Sequence, residues 1–451
     1  MRSTTLLKAP WRDPLAVLAA VARRDFTLGL MSGGGGPRGR WSYVMADPAW
    51  VLTAEASDPA DPFRAMRDRL GPLAPGLADG PPFQGGIAGL LGYELGWRIE
   101  GVGHRGTPDW PDAVCGVFDR LLAFDHVGAE VVAVGRGEDD AASERAARAA
   151  IAWLEAAAGP GAPAGRLADD FQPVTPGEDY EAHVADVTAR IAAGEIFQAN
   201  VARSWRGRLR PGVQPIDLLA RLAADSPAPF AAYFSLPGRA VVSNSPERFV
   251  QVRPEAGLTV ESRPIKGTRP RGADPAEDEA LRRELVGCEK DRAENLMIVD
   301  LMRNDLSRVC PPGTVAAPEL FALESFANVH HLVSTVTGRL GPGLGPIDLL
   351  EAAFPPGSIT GAPKIQAIKV IADYEGPRGP YCGSIFWAGF DGACDSSVLI
   401  RTVALVCEEG RWRFEARAGA GLVADSDPHL ERLETEAKID AIRRALAEAP
   451  A

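Results

Sequence analysis

Phe230–Ser262, FAAYFSLPGRAVVSNSPERFVQVRPEAGLTVES, reads as four short extended segments separated by turns. Phe230–Ser235, Ala240–Ser243, Arg248–Arg253 and Leu258–Ser262 are rich in β-branched and aromatic residues, and Leu-Pro-Gly, Ser-Pro-Glu and Pro-Glu-Ala-Gly punctuate them. Ile196–Arg206 adds another strand upstream. Before it, Thr175-Pro-Gly-Glu178 has the form of a capping box with proline at the first helical position. Tyr180, Val184, Val187 and Ile191 then recur at helical spacing up to a stop at Gly194. Downstream, Asp274-Pro275 opens an acidic helical stretch that continues, with a break, through Glu289–Val309 on an apolar stripe of Leu296, Val299 and Met302. A last helix is predicted from Asp427-Pro428 to about Ala447. Strands and helices come in blocks rather than in βαβ alternation, which predicts an α+β fold with mostly antiparallel sheet.

Ahead of this region, Ala156–Tyr180 is rich in Pro, Gly and Ala and reads as a linker. Trp41–Met45, Gly85–Tyr93 and Glu130–Val134 are strand-like, and Ser143–Ala157 is predicted helical. The organisation expected from this pattern is an N-terminal region, 1–157, and a region spanning 175–448, joined by that linker. The chain has 451 residues, with 48 Lys and Arg against 60 Asp and Glu for a net charge of −12, the opposite of what phosphate neutralisation requires. Nucleic acid is excluded as an expected partner. With 46% hydrophobic and 24% charged residues and no apolar run of the ~20 residues that a bilayer demands, no membrane span is expected. Six scattered cysteines form no C-x-x-C pair, and the N-terminus has no secretory apolar core, so reduced thiols and a cytoplasmic location are expected.

Several residues have chemistry to offer. Lys266, between Ile265 and Gly267, sits where a strand ends in a tight turn, a setting that desolvates an amine and turns it into a nucleophile. Alone, such a lysine is more often a solvated loop residue. Nineteen positions upstream, Glu247 opens an apolar strand, where burial raises a carboxyl pKa and suits it to deliver a proton. Asp291 and Glu294 share one helix face, and Glu431 and Glu434 share another; carboxylates from two helices are the oxygen donors Mg²⁺ prefers. Glu434 and Lys438 are equally an exposed i,i+4 ion pair. Phe354–Lys364 is a Gly/Pro loop opening into a helix, with backbone amides suited to an anion but no Walker order. His330-His331 precede an apolar strand and read first as core histidines.

Taken in order, Gly194-Glu-Ile-Phe-Gln198, Ser245-Pro-Glu-Arg-Phe249, Arg263-Pro-Ile-Lys-Gly-Thr268, Asp291 to Asp305, His331-Leu-Val-Ser334, Gly357 to Lys364, Ile400-Arg-Thr402 and Gly419 to Pro428 resemble the chorismate-utilising enzymes. That family includes anthranilate, aminodeoxychorismate, isochorismate and salicylate synthases. The resemblance implies two packed antiparallel β-sheets surrounded by helices, with region 1–157 packed into the same body as the chorismate-binding region, 175–448. Gln198 stands where the water-adding members have a basic lysine, which disfavours that branch; Lys266 stands where anthranilate synthases have alanine, the pattern of the chorismate-aminating branch. The implied reaction is amination of chorismate at C4 through a Lys266 adduct at C2, with Glu247 as general acid, giving the precursor of p-aminobenzoate for folate synthesis. By the same resemblance, Mg²⁺ falls to Glu294 and Glu434 with Glu431 and Asp291 in support. Arg401, Tyr381 and Lys438 bind a carboxylate, and Thr360, His331, Gly419, Gly421 and Gln198 shape the pocket. No glutaminase nucleophile centre is seen, so ammonia is expected from a separate glutamine amidotransferase subunit, and the onward lyase step from a third protein. Anthranilate synthase component I and a non-catalytic chorismate-binding regulatory subunit are the alternative readings.

Overall fold

The structure is a computed structural model that describes residues 3–33, 39–107, 109–157, 165–255, 257–325 and 329–449. Two large sheets dominate it, and every pairing in them is antiparallel. Phe230–Leu236, Arg239–Ser245 and Arg248–Arg253 bear out the strand reading of the opening stretch, but the third has left its neighbours: the first two pair in one sheet, and Arg248–Arg253 starts the crossing into the other. The first sheet runs from Ser3–Pro10 at one edge to Gly361–Ala362 at the other; the second runs from Ile265–Pro270 to Trp50–Ala54.

Alternation explains the layering. Ala232, Phe234 and Leu236 point between the sheets and meet Leu90, Val114, Phe118 and Ile385 from the second, while Ala231 and Tyr233 point outward into a separate core. Each fully buried Phe or Leu contributes about 1.5–3 kcal/mol. Helices cover both outer faces: Pro14–Val21, Asp140–Glu155, Pro215–Asp225 and Pro428–Ala447 on the first sheet, Pro62–Leu70, Glu289–Ser307 and Pro346–Ala353 on the second. Leu28–Met31 pairs with Phe230–Leu236, and Gly86–Leu91 pairs with Ser384–Gly389, so strands from both ends of the chain share each sheet.

Several local expectations are corrected. The Thr175 capping box does not form: the helix is Gly177–Ala192 with Pro176 at its N-cap and no side-chain cap, while Glu178 and Asp179 supply the first-turn charge. It ends as expected before Gly194, at φ 81°. The acidic stretch divides, as expected, into two helices, Pro275–Gly287 and Glu289–Ser307, but on the second Leu296 is exposed and the buried face is Asn295, Ile298, Val299, Met302, Asp305 and Leu306. The centre of the proposed linker, 158–164, lies outside the described residues. Its flank is anchored, since the Leu167 and Ala168 amides both donate to Leu446 O at 2.9 Å and Gln172–Pro173 pairs with the Gln198–Arg208 strand. His330 and His331 lie within the Val329–Arg339 strand. All six cysteines are free, four of them buried.

Candidate active site

Lys266 is placed by a β-bulge rather than a terminal turn. Between Ile265, opposite Val333, and Thr268, opposite His331, the Ile265–Pro270 strand takes three steps while its partner takes two. The extra residue is absorbed at Lys266-Gly267, where Gly267 adopts φ 81°, and such a bulge turns one side chain out of the alternation. A Cβ at Gly267 would lie 2.9 Å from Leu285 Cδ1 and 3.0 Å from Asp291 Cβ, so the helices behind the bulge press directly on it. The lysine reaches towards the first sheet: Nζ lies 3.2 Å, and Gln198 Nε2 2.4 Å, from the point a Gly421 Cβ would occupy. A Cβ at Gly419 would in turn meet Asn200 Oδ1 at 2.6 Å. Gln198 is 1% exposed, yet among the described residues neither its Oε1 nor its Nε2 has a hydrogen-bond partner, and Asn200 Oδ1 is equally unpaired. Leaving such groups unsatisfied costs about 1–3 kcal/mol apiece, and a polar ligand in the chamber removes that cost.

Glu247 approaches from the turn after Arg239–Ser245. Val398 N donates to its carbonyl at 3.1 Å, and Ser358 Oγ donates to its Oε1 at 2.7 Å. Burial raises the pKa of this carboxyl, opposed by the Ser358 hydrogen bond and by the charges of Lys266, Lys438 and Arg401. Arg401, at φ 51°, has its pKa lowered by burial against the pull of Glu247. Among the described residues the Arg401 carbonyl accepts from Asn244 N at 3.0 Å, while the guanidinium of Arg401 and the amine of Lys266 make no hydrogen bond or close ion pair. Two cations without a close ion-pair partner, near enough to Glu247 to act on its carboxyl, have the chemistry to hold an anionic ligand.

Lys438 spans both readings of its helix face: it pairs with Glu434 at 2.6 Å and also donates to Gly419 O at 3.0 Å. Burial raises the pKa of Glu294, reinforced by Asp291 and Glu434 and opposed by Lys266 and Lys290. Burial and Glu434 also raise that of Glu431, whose Oε1 accepts from Ser426 at 2.6 Å. For Glu434 burial is outweighed by Lys438, and its pKa is lowered. Asp291 instead faces Arg269 at 3.2 Å. No ready-made cluster of three metal donors occurs among the described residues. Carboxylates close enough to act on one another nonetheless have the donor chemistry for Mg²⁺, which takes one or two protein oxygens and completes its shell from water and substrate. Glu294 and Glu434, with Glu431 beside them, fit that description best.

Thr360 is fully buried and its Oγ1 donates to Pro356 O at 2.9 Å. His331 Nδ1 lies 2.9 Å from Thr268 Oγ1. Tyr381 is buried against Arg378, whose guanidinium carbon stands 5.7 Å from the tyrosine ring. The Gly357–Lys364 segment is not an open anion loop: its residues Gly361–Ala362 pair with Gln198 and Ala199, and the helix behind begins only at Lys364. Three supports escaped the sequence reading. Ser358 bonds the acid. Lys364 forms a buried ion pair with Asp305 at 2.8 Å, tying this segment to the helix that bears Glu294. Arg378, paired with Glu375 at 2.7 Å, donates to Ile359 O and Asn200 O beneath the chamber. Ser358 and Lys364 stood inside a motif read for its backbone alone, and the Glu375/Arg378 i,i+3 spacing was the only trace of the third.

A model of the chorismate binding enzymes matches residues 33–444, nine-tenths of the chain. The chain belongs to this family. Among similar chorismate-binding enzymes, aminodeoxychorismate synthase component 1 of Klebsiella aerogenes is 38% identical over 466 residues, covering 99% of this chain and 100% of that protein. Anthranilate synthase component 1 of Streptomyces coelicolor is 40% identical over 433 residues, covering 91% of this chain and 82% of its own length. The crystal structure of anthranilate synthase component I from Streptococcus pneumoniae superposes with a TM-score of 0.77 at 27% identity, covering 91% of this chain and 93% of that one. The family architecture is thus the two-sheet α+β body described above.

Proposed function

We propose that this chorismate-binding enzyme aminates chorismate at C4, giving 4-amino-4-deoxychorismate. Lys266 supports this reading: its amine lies beside Gln198 and the Gly421 backbone, and its charge, with that of Arg401, acts on the Glu247 carboxyl. A lysine at that position is the pattern of the aminating branch, and relatives named aminodeoxychorismate synthase component 1 match over nearly the full chain.

In this scheme the Lys266 nitrogen bonds to C2, the ring double bonds shift, and the C4–O bond breaks as Glu247 gives its proton to the departing oxygen, which leaves as water. Ammonia then bonds at C4, the double bonds shift back, and the C2–N bond to lysine is released. Arg401 and Lys438 hold the substrate carboxylates, Arg401 in the bidentate manner open to a planar guanidinium, and Tyr381, Thr360 and His331 complete the walls. Mg²⁺ bound by Glu294 and Glu434 would neutralise a ring carboxylate that otherwise meets like charge. The component 1 name of the relatives supports a partner subunit, a glutamine amidotransferase supplying the ammonia. No helix of the described residues is long and apolar enough to cross a membrane, and a cytoplasmic setting fits the free thiols.

Chorismate, Mg²⁺ and ammonium, incubated with the purified chain, are expected to yield 4-amino-4-deoxychorismate; release of anthranilate and pyruvate would defeat the proposal. The anthranilate reading is kept as second because the Streptomyces coelicolor relative is as similar as the first.

A further inference from the structure

A carboxylic acid presents two oxygens, and only one of them can carry the proton that a leaving hydroxyl takes. Ser358 Oγ donates to Glu247 Oε1 at 2.7 Å, and Oε2 makes no hydrogen bond among the described residues. With Oε1 accepting from the serine, the acid's own hydrogen sits on Oε2.

Ser358 itself is clamped. It lies in the short Gly357–Ile359 turn, closed by Thr360 N donating to Gly357 O at 3.2 Å and Thr360 Oγ1 donating to Pro356 O at 2.9 Å. On one side, Asn200 N donates to Thr360 O at 2.9 Å and Arg378 Nη1 to Ile359 O at 3.3 Å. On the other, Lys364 bonds Asp305 at 2.8 Å and Ala353 O at 3.1 Å. Gly357 is pressed so closely on the helix behind that a Cβ there would lie 2.3 Å from Leu301 Cδ2. A hydroxyl on so braced a turn is a fixed reference point for a side chain that otherwise has three rotatable bonds.

We propose that Ser358 is the positioning residue for the acid Glu247, holding its carboxyl in one rotamer with Oε2 directed at the oxygen to be expelled. This rests on the chorismate-aminating reading above. The charged groups facing Glu247 are Lys266 from the bulged strand, Lys438 from the C-terminal helix and Arg401 from the loop before Thr402–Glu408. Ser358 is the neutral donor among them. Removing its hydroxyl takes away one stabiliser of the carboxylate, so the acid holds its proton to higher pH while losing its aim.

The test compares Ser358→Ala and Ser358→Thr with the wild type in the full chain, using chorismate, Mg²⁺ and ammonium across pH. Ser358→Ala is expected to lower kcat by ~10-fold with KM held within about twofold, and to move the high-pH fall of kcat upward; the threonine hydroxyl restores both. Combined with Glu247→Gln, Ser358→Ala is expected to add no further loss, because it acts through that carboxyl. A wild type that aminates C4 beside a Ser358→Ala variant with an unmoved pH limb, or one in which only KM rises, overturns the inference alone. A wild type releasing anthranilate and pyruvate overturns the product assignment before any variant is made, and no turnover at all overturns both.

Discussion

In the proposed reaction Lys266 supplies the amine, from the Ile265–Pro270 strand, and Glu247 the acid, from the turn before the Arg248–Arg253 strand. Lys266→Ala removes the proposed nucleophile while leaving the proposed carboxylate binders Arg401 and Lys438 in place. Mass spectrometry of enzyme quenched with chorismate should show an adduct on the wild type and none on the variant, with chorismate binding retained; an unchanged adduct refutes the role. Glu247→Gln is isosteric but has no proton to give, and a kcat loss of ~100-fold or more is expected. Because burial raises the Glu247 pKa, its protonated, competent form persists above the ordinary carboxylate range. The limb of the profile set by this acid is therefore expected to fall as pH rises through that raised value, and a pH profile of kcat checks this. As candidates these two residues were readable in the sequence, but their local signals are weak alone, and it is the order of motifs around them that singled them out. Ser358 was not, because its partner lies 111 positions away.

At the scale of elements, the site is made by a bulge and two helices. Gly267→Ala places a Cβ against Leu285 and Asp291 and forces the left-handed conformation, which costs roughly 1–2 kcal/mol for an L-residue. Loss of that stability in urea denaturation is expected together with loss of the covalent adduct, since straightening the bulge returns Lys266 to the strand's alternation; a variant that keeps the adduct argues against the bulge as the aiming device. On the helices, Glu434→Gln removes one of the two carboxylates best placed for Mg²⁺, and calorimetric titration should show clearly weaker binding of the ion. An unaltered titration removes Glu434 from the ligand set. The Pro428–Ala447 helix was legible to within a residue from its Asp-Pro start, because N-cap and first-turn chemistry are local. The Thr175 cap failed for an equally local reason: the helix begins one residue later, leaving proline in the cap position.

For the whole molecule, the inter-sheet core is what holds the two halves of the site together. Phe234 is fully buried there, and Phe234→Ala is expected to cost about 3–5 kcal/mol in equilibrium unfolding, with a single transition because both sheets share that layer. Two separated transitions would contradict the shared core. Reading residue types and spacings was enough to establish the α+β class, the antiparallel pairing and the kinds of group available for chemistry, since periodicity and turn residues act over a few positions. Which strand joined which sheet, the extra residue at Lys266, the meeting of that amine with Gln198 and Gly421, and the serine behind the acid were all decided by long-range register. Register depends on how distant strands bury their apolar faces against one another, a free energy that no short window of sequence contains.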